Sequence, residues 1–430
     1  MRVGKNIAWA VAGKIATLLG GLAIGILVAR YLGAAQYGLM NYVISYVAIF
    51  QVFADFGLDL IQIREEASNK ADYKRIIGTT FGLKCIFAIV TLIAIFITTC
   101  VLEADSQTRT FIWIYAFSVL LNTTWVVRNH FTSVVWNEYV VKSEIARTTI
   151  GIGIKVLFVL LQLPLVWFIL SLVVDSILLA SGYMLSYRKK IGRFQDWTFD
   201  RRLAKFMLQQ SFPLLLSGAA IVVYNRIDQL MIGNMIDNSH LGIYSVAVKF
   251  VEILTFVPTI LSQTVSPILV EKRTASEEQY QRVAALFMNI SVWGCVLLAI
   301  LTCLISYPLI RFSFGLEYIE ASSILAILSF RIIGDALSQT SGQMIIIEQK
   351  QKFVFIRNII GCIVCIALNL LFIPHFGITA VAVVAIITIM SSGTISNLLI
   401  PQYRAIFKLQ MRAILIGWKD LKNIKDLLQA

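Results

Sequence analysis

Apolar and polar positions alternate along this chain on a coarse scale, as long apolar stretches of about 20 residues separated by short polar connections. About twelve such stretches fit, at residues 7–29, 39–61, 76–100, 109–128, 144–163, 165–186, 211–233, 241–268, 283–306, 321–345, 353–373 and 377–400. Each is long enough to cross a hydrocarbon core of about 30 Å as a helix. Only Gln162, Leu163 and Pro164 separate the fifth stretch from the sixth. A single helix of about 40 residues there would overshoot the core, and Pro164 lacks a backbone donor, so a tight hairpin between two spans is expected.

The pattern therefore predicts an all-α polytopic membrane protein. Composition agrees, since 58% of residues are hydrophobic and 14% charged, against about 25% charged in soluble domains. Twelve spans leave no room for a large extramembrane domain. Arg2 and Lys5 before an apolar run imitate a secretory signal. The run is too long, contains Lys14 and ends at Ala29-Arg30 without a small-residue cleavage pattern, so it reads as the first anchor.

Basic residues outside the spans set the orientation. The odd-numbered connections contribute Arg30, Arg109 and Arg311, whereas the N-terminus, the even-numbered loops and the C-terminal tail hold the rest. Both termini are expected in the cytoplasm, in a bacterial inner membrane. The formal charge of +13 then reflects groups such as Arg188-Lys189-Lys190 and Arg201-Arg202 facing anionic lipid, and it does not point to nucleic acid.

The basic stretch Ser186 to Lys205 is the longest loop and divides the spans into two sets of six. The expected organisation is an N-terminal lobe at 1–190, a cytoplasmic linker at 191–208, a C-terminal lobe at 209–402 and a cytoplasmic amphipathic tail at 403–430. The tail mixes Ile406, Phe407, Ile414, Leu415 and Trp418 with Arg404, Lys408, Arg412 and Lys419, and its longest apolar run is too short to span. The halves look alike at an offset of about 204 residues, with Tyr37-Gly38-Leu39 opening the second span and Leu241-Gly242-Ile243-Tyr244 opening the eighth. An even number of spans per half makes the repeat parallel, and a site between the lobes is implied.

Several chemistries lack their residues. Cys85, Cys100, Cys295, Cys303, Cys362 and Cys365 fall in or at the ends of spans and behave as small hydrophobes. His130, His240 and His375 are too scattered for a metal site, and no P-loop, nucleophile elbow or H-E-x-x-H is present. No cofactor is expected.

The run Ala29-Arg30-Tyr31-Leu32-Gly33-Ala34-Ala35-Gln36-Tyr37-Gly38 after a Gly-rich first span resembles the start of polysaccharide-biosynthesis flippases, the Wzx-type O-antigen transporters. Asp228-Gln229-Leu230-Met231-Ile232-Gly233 followed by Leu241-Gly242-Ile243-Tyr244-Ser245-Val246-Ala247 is similar to their second-half signature. Ala34-Ala35 stands where that family often has Pro or an acidic residue, and some relatives carry fourteen spans, which leaves the subfamily open. The resemblance implies a superfamily shared with multidrug exporters and the lipid II flippase. Its members have two six-helix lobes around a V-shaped central cavity that opens alternately to each side. The implied cargo is an undecaprenyl-pyrophosphate-linked oligosaccharide repeat unit.

Charges within the spans fit such a cargo. Lys14, Lys84, Lys155, Arg226, Lys249 and Arg331 are basic, and Asp55, Asp59, Asp175, Asp228, Glu252 and Asp335 acidic. Facing lipid at a helix centre, each would cost about 2.5–3.5 kcal/mol on insertion scales, so they should face water or one another. Lysine and arginine suit a pyrophosphate. Lys14, Arg226 and Lys249 are the first candidates for binding pyrophosphate and sugars, followed by Arg331 and Lys155. Two of these have local alternatives, because Lys249 and Glu252 at i, i+3 and Arg331 and Asp335 at i, i+4 form pairs that would neutralise a buried charge. Lys84 is expected to snorkel to the interface, and Asp175 is either paired, with Lys155 as one partner, or a buried acid. Asp228, Glu252 and Asp335 are the candidates for carrying a coupling ion.

The leading expectation is a flippase for lipid-linked oligosaccharide acting by alternating access. A multidrug exporter of the same superfamily is disfavoured by the even mix of intramembrane cations and acids. A membrane polysaccharide polymerase would need a larger outer loop than the stretch from Tyr307 to Glu320. The expectation is thus a transporter and not an enzyme, functional as a monomer, with membrane lipids and the polysaccharide polymerase and chain-length machinery as partners.

Overall fold

The computed structural model describes residues 2–103 and 105–420, with side chains from Thr17 onward except those of Lys70 and Asp420. The last ten residues of the expected tail, 421–430, lie outside the described residues. Every regular element among the described residues is helical, the form that satisfies backbone groups internally in hydrocarbon. The chain divides into two compact units, Met1–Val222 and Val223–Ala430.

In the first unit, α1 (Arg2–Asp55) holds two of the predicted spans, because Gly33 breaks it with φ 74° and ψ 170°. At that positive φ a Cβ is strained. Gly33→Ala is expected to lower stability by about 1–2 kcal/mol, read as a lower melting temperature of the detergent-solubilised protein; an unchanged melt would show that the break tolerates a side chain. Helices α2 (Leu58–Ser68), α3 (Tyr73–Leu102), α4 (Ser106–Ala116), α5 (Ser118–Leu121), α6 (Trp125–Ser133), α7 (Asn137–Leu160) and α8 (Leu165–Lys190) follow. The predicted hairpin stands between α7 and α8: Gln162 has φ 51°, Leu163 N–H donates to the Phe158 carbonyl at 3.1 Å, and Pro164 precedes α8. The next helix, α9 (Arg201–Met235), crosses the boundary between units. Its first turns belong to the first unit, where Ala204 and Met207 pack on Leu58, Ile61, Ile76 and Leu83.

Helix α3 shows why this is a membrane fold. Ile86, Ile89, Val90, Ile93, Phe96 and Ile97 recur at helical spacing and are each between 53% and 56% exposed. Such an apolar outer stripe is untenable in water and ordinary against lipid tails.

At the start of α4, Asp105 accepts from Thr108 Oγ1 at 2.6 Å, Thr108 N–H at 2.8 Å and Gln107 N–H at 3.3 Å. The Thr108 hydroxyl and amide hold its carboxyl below the usual value. A depressed folded-state pKa stabilises above the ordinary carboxylate range, and that contribution is lost as pH falls through the folded value. Asp105→Ala is expected to cost about 1 kcal/mol at neutral pH and nothing once the carboxyl is protonated, a difference that thermal melts at the two pH values would reveal.

The second unit continues with α10 (Asn238–Leu254), α11 (Phe256–Ala275), α12 (Glu277–Ser313), α13 (Ala321–Leu328), α14 (Arg331–Ile347), α15 (Val354–Met390), α16 (Ser396–Leu399) and α17 (Arg404–Asp420). The eighth span breaks between α10 and α11 at Thr255. Pro258 explains the position, since it has no N–H for the Leu254 carbonyl and its ring crowds that group. Gly377, with φ 58° and ψ −144°, divides α15 into the eleventh and twelfth crossings. A π-helical turn, Ser391–Ile395, connects α15 to α16.

Nine described segments are long and apolar enough to cross a membrane. Two of them are each divided into two crossings, by the breaks at Gly33 and Gly377, and α7 completes the predicted set of about twelve. Charges such as Glu138, Lys142, Glu144, Arg147 and Lys155 leave α7 less apolar than the others. The chain is a multi-pass membrane protein.

Candidate functional site

The signature in the second half is the starting point. Asp228 on α9 and Tyr244 on α10 lie on either side of the turn at Asp237, whose side chain caps α10 by accepting from His240 N–H at 2.8 Å. The Tyr244 hydroxyl donates to Asp228 Oδ2 at 2.6 Å, and the Gln229 amide donates to Oδ1 at 2.7 Å. Both side chains are buried. The Tyr244–Asp228 hydrogen bond thus ties together the two runs of the second-half signature.

Further along the same helices lies an open cluster. Arg226 Nη2 approaches Glu252 Oε1 at 3.3 Å, and Lys249 Nζ approaches Glu252 Oε2 at 3.6 Å. The side chains of Arg226, Lys249 and Glu252 are 31%, 39% and 39% exposed. Two cations against one carboxylate leave one net positive charge. Both cations keep donors beyond those used on Glu252, because guanidinium has five and ammonium three.

Arg331, at the start of α14, is more enclosed. Its Nη2 donates to Asn225 Oδ1 at 2.5 Å. Its Nε faces Asp335 Oδ2 at 3.8 Å, with both side chains 15% exposed. That separation exceeds a direct hydrogen bond, and neither of those two buried atoms makes one among the described residues. The i, i+4 pair is therefore looser than the spacing alone suggests.

In the first unit, Lys155 on α7 and Asp175 on α8 meet at 2.6 Å. This resolves the alternatives for Asp175 in favour of a partner. Gly151 makes the approach possible, since a Cβ there would collide with Asp175 Oδ1. The Lys14 side chain lies outside the described residues.

Lys84 corrects an expectation. Instead of snorkelling, it is 1% exposed and sits between Asp59 Oδ1 at 2.5 Å and Asp55 Oδ1 at 3.1 Å. A long stem can reach the interface only where no buried counter-charge holds it, and here there are two. Asn129 Nδ2 donates to Asp59 Oδ1 at 2.8 Å and to Gln62 Oε1 at 3.0 Å, and Gln62 Nε2 donates to Glu66 Oε1 at 2.7 Å. Glu66 Oε2 lies 2.6 Å from His130 Nδ1. One continuous polar network links α1, α2, α3 and α6.

Sequence reading missed two parts of these networks. Glu66 and His130 lie outside the predicted spans and form their buried pair only once α2 and α6 pack together. Arg357 falls within the eleventh span, is 5% exposed, and donates from Nε to the Ser392 carbonyl at 3.1 Å and from Nη2 to Ser341 Oγ at 3.3 Å. Its neighbour Asn358 was the available signal, as two adjacent polar residues in an apolar run ask for partners. Among the described residues, no group of three His, Cys, Asp or Glu side chains could hold a metal ion.

A family model described as polysaccharide biosynthesis protein matches residues 3–272, well over half of the chain. Solved structures share its fold. The lipid II flippase MurJ in an inward closed conformation superposes with a TM-score of 0.72 at 14% identity, covering 96% of this chain and 92% of its own. An inward-facing multidrug resistance MATE family transporter of the MOP superfamily gives 0.67 at 13% identity, with coverage of 92% and 96%. The MATE multidrug transporter DinF-BH gives 0.65 at 16% identity, with coverage of 94% and 96%. No curated protein sequence matches the chain.

Proposed function

Because the chain belongs to the polysaccharide biosynthesis protein family, we propose that it is a flippase that moves undecaprenyl-pyrophosphate-linked oligosaccharide repeat units across the cytoplasmic membrane. The observation that carries this reading is the cluster of Arg226, Lys249 and Glu252, cationic in balance and open within spans whose other charge, Asp228, is buried. A charged cluster left open within a span is tolerable in a wet path and costly against lipid. A pyrophosphate brings the negative charge that such a cluster lacks, and the guanidinium fork and the ammonium can both bind it. The polyprenyl tail stays in lipid, so only the head group needs a polar route. Lys155 and Arg331 are enclosed and already engaged, which ranks them below Arg226 and Lys249 as cargo contacts.

The lipid II flippase of the same fold is, by its name, a flippase, the class of transporter proposed here. The multidrug-exporter reading fits less well, since an excess positive charge repels organic cations. Uphill or vectorial movement without ATP needs a proton, a sodium ion or the membrane potential, and Asp228, Glu252 and Asp335 are the proposed ion carriers. Transport that is unchanged across an imposed pH gradient, with the membrane potential clamped, would remove the proton from this scheme. The flippase reading itself is tested in vesicles containing the purified protein and a fluorescent polyprenyl-pyrophosphate oligosaccharide. Protein-dependent appearance of the sugar in the opposite leaflet is expected, and equal rates in protein-free vesicles would refute it.

A further inference from the structure

Helix α17 has two faces that serve different purposes. The inward face presents Ile406, Gln410, Ala413 and Gly417 at spacings of three and four, packed largely on α12. Trp293 Nε1 donates to the Ala413 carbonyl at 2.9 Å, and the preceding Tyr403 hydroxyl donates to the Lys350 carbonyl at 2.7 Å. Gln410 is fully buried and makes the key attachments. Its Nε2 donates to the Gly393 carbonyl at 2.8 Å and to the Leu337 carbonyl at 3.1 Å, while its Oε1 accepts from Asn397 Nδ2 at 3.0 Å. Gly393 lies in the π-helical turn Ser391–Ile395, whose altered register leaves carbonyls for side chains to satisfy. A surface helix is therefore bonded directly to an irregular turn in the twelfth crossing and to α14 in the tenth.

The outward face is of a different kind. Arg404, Lys408 and Arg412 are exposed at i, i+4 and i+8, and Lys419 continues the charge one turn beyond Leu415. Leu415 is 71% exposed and Trp418 53%. No acidic residue occurs between Tyr403 and Lys419. The helix starts directly after the twelfth crossing, so this face lies at the edge of the apolar slab. Cations interleaved with exposed Leu and Trp match one surface, anionic headgroups over acyl chains, where the basic groups meet lipid charge and the apolar side chains enter the boundary.

We propose that α17 is a docking helix for anionic phospholipid, and that its seating on the bilayer steadies the π-helical turn through Gln410. Lifting α17 would leave the Gly393 carbonyl with Asn397 Nδ2 at 2.9 Å and the Leu337 carbonyl with Thr340 Oγ1 at 3.2 Å. It would remove the Gln410 donor from both and the Gln410 acceptor from buried Asn397, so the turn loosens as the helix lifts. Lipid charge thereby acts on a crossing helix from outside the transport path.

The test uses the full-length protein in nanodiscs of phosphatidylcholine alone or with phosphatidylglycerol, read by amide hydrogen exchange. With phosphatidylglycerol at low salt, exchange across both 404–420 and 391–395 should slow, by about fivefold for each cation at the surface. Raising the salt should remove the effect. In Lys408→Gln/Lys419→Gln, two exposed positions whose change leaves the core intact, about 25-fold of the slowing should disappear. Equal exchange in the two lipids overturns the proposal, as does a slowing that is as large in the double variant as in the wild type. Slowing confined to 404–420 overturns the link through Gln410.

Discussion

Lys84→Met is expected to destabilise the protein by about 3–5 kcal/mol, the usual cost of removing one partner from a buried ion pair. The wild-type ammonium is held by Asp55 and Asp59 together, and little of it is open to solvent. Methionine fills a similar volume but leaves two carboxylates facing each other with Asn129 as the remaining donor to Asp59. Asp55→Asn or Asp59→Asn alone should cost less, because Lys84 keeps one carboxylate. Combining Lys84→Met with both asparagine changes should recover much of the loss, since no unpaired charge is then buried. Melting temperatures of the purified variants in one detergent decide this. A single Lys84→Met variant that melts with the wild type would mean that the cluster is solvated in the folded protein.

Arg226→Ala is expected to act on transport and not on folding. Arg226 is about a third exposed and its bond to Glu252 is long, so removing it strands little. A charge-assisted hydrogen bond to the cargo is worth about 1.5–3 kcal/mol, which corresponds to roughly 10- to 150-fold in cargo affinity. Arg226→Lys should restore part of this, because charge remains while the planar fork is lost. Lys249→Ala should behave similarly, and the double variant should exceed either single one. If Arg226→Ala lowers the melting temperature and leaves flipping in vesicles unchanged, the arginine is a structural partner of Glu252.

The crossings were legible in the sequence because hydrocarbon admits so few backbone solutions. Runs of about 20 apolar residues had to be helices, and Pro164 announced the hairpin between α7 and α8. The sites were less legible, for reasons visible in individual residues. Lys249 and Glu252 could be paired by helical spacing because they share one helix, whereas Arg226 comes from α9 and only packing brings it to Glu252. Lys84 could not be paired by spacing either, since its partners Asp55 and Asp59 come from other helices and only packing brings them within reach. The Glu66–His130 pair escaped for the same reason. The i, i+4 rule suggested a tight Arg331–Asp335 pair, yet the guanidinium turns its shortest bond to Asn225 on α9. Local spacing says which side chains are able to meet, and tertiary packing chooses among them.

The central claim, that this chain flips a lipid-linked saccharide through a path that uses Arg226 and Lys249, is tested most directly in cells lacking the gene. Surface polysaccharide is measured after complementation with the native chain or with Arg226→Ala/Lys249→Ala at matched membrane expression. The account predicts that the native chain restores display, and that the variant does not while lipid-linked repeat units accumulate on the cytoplasmic leaflet. Display that persists in the deletion strain, with no accumulation of those units, would contradict it.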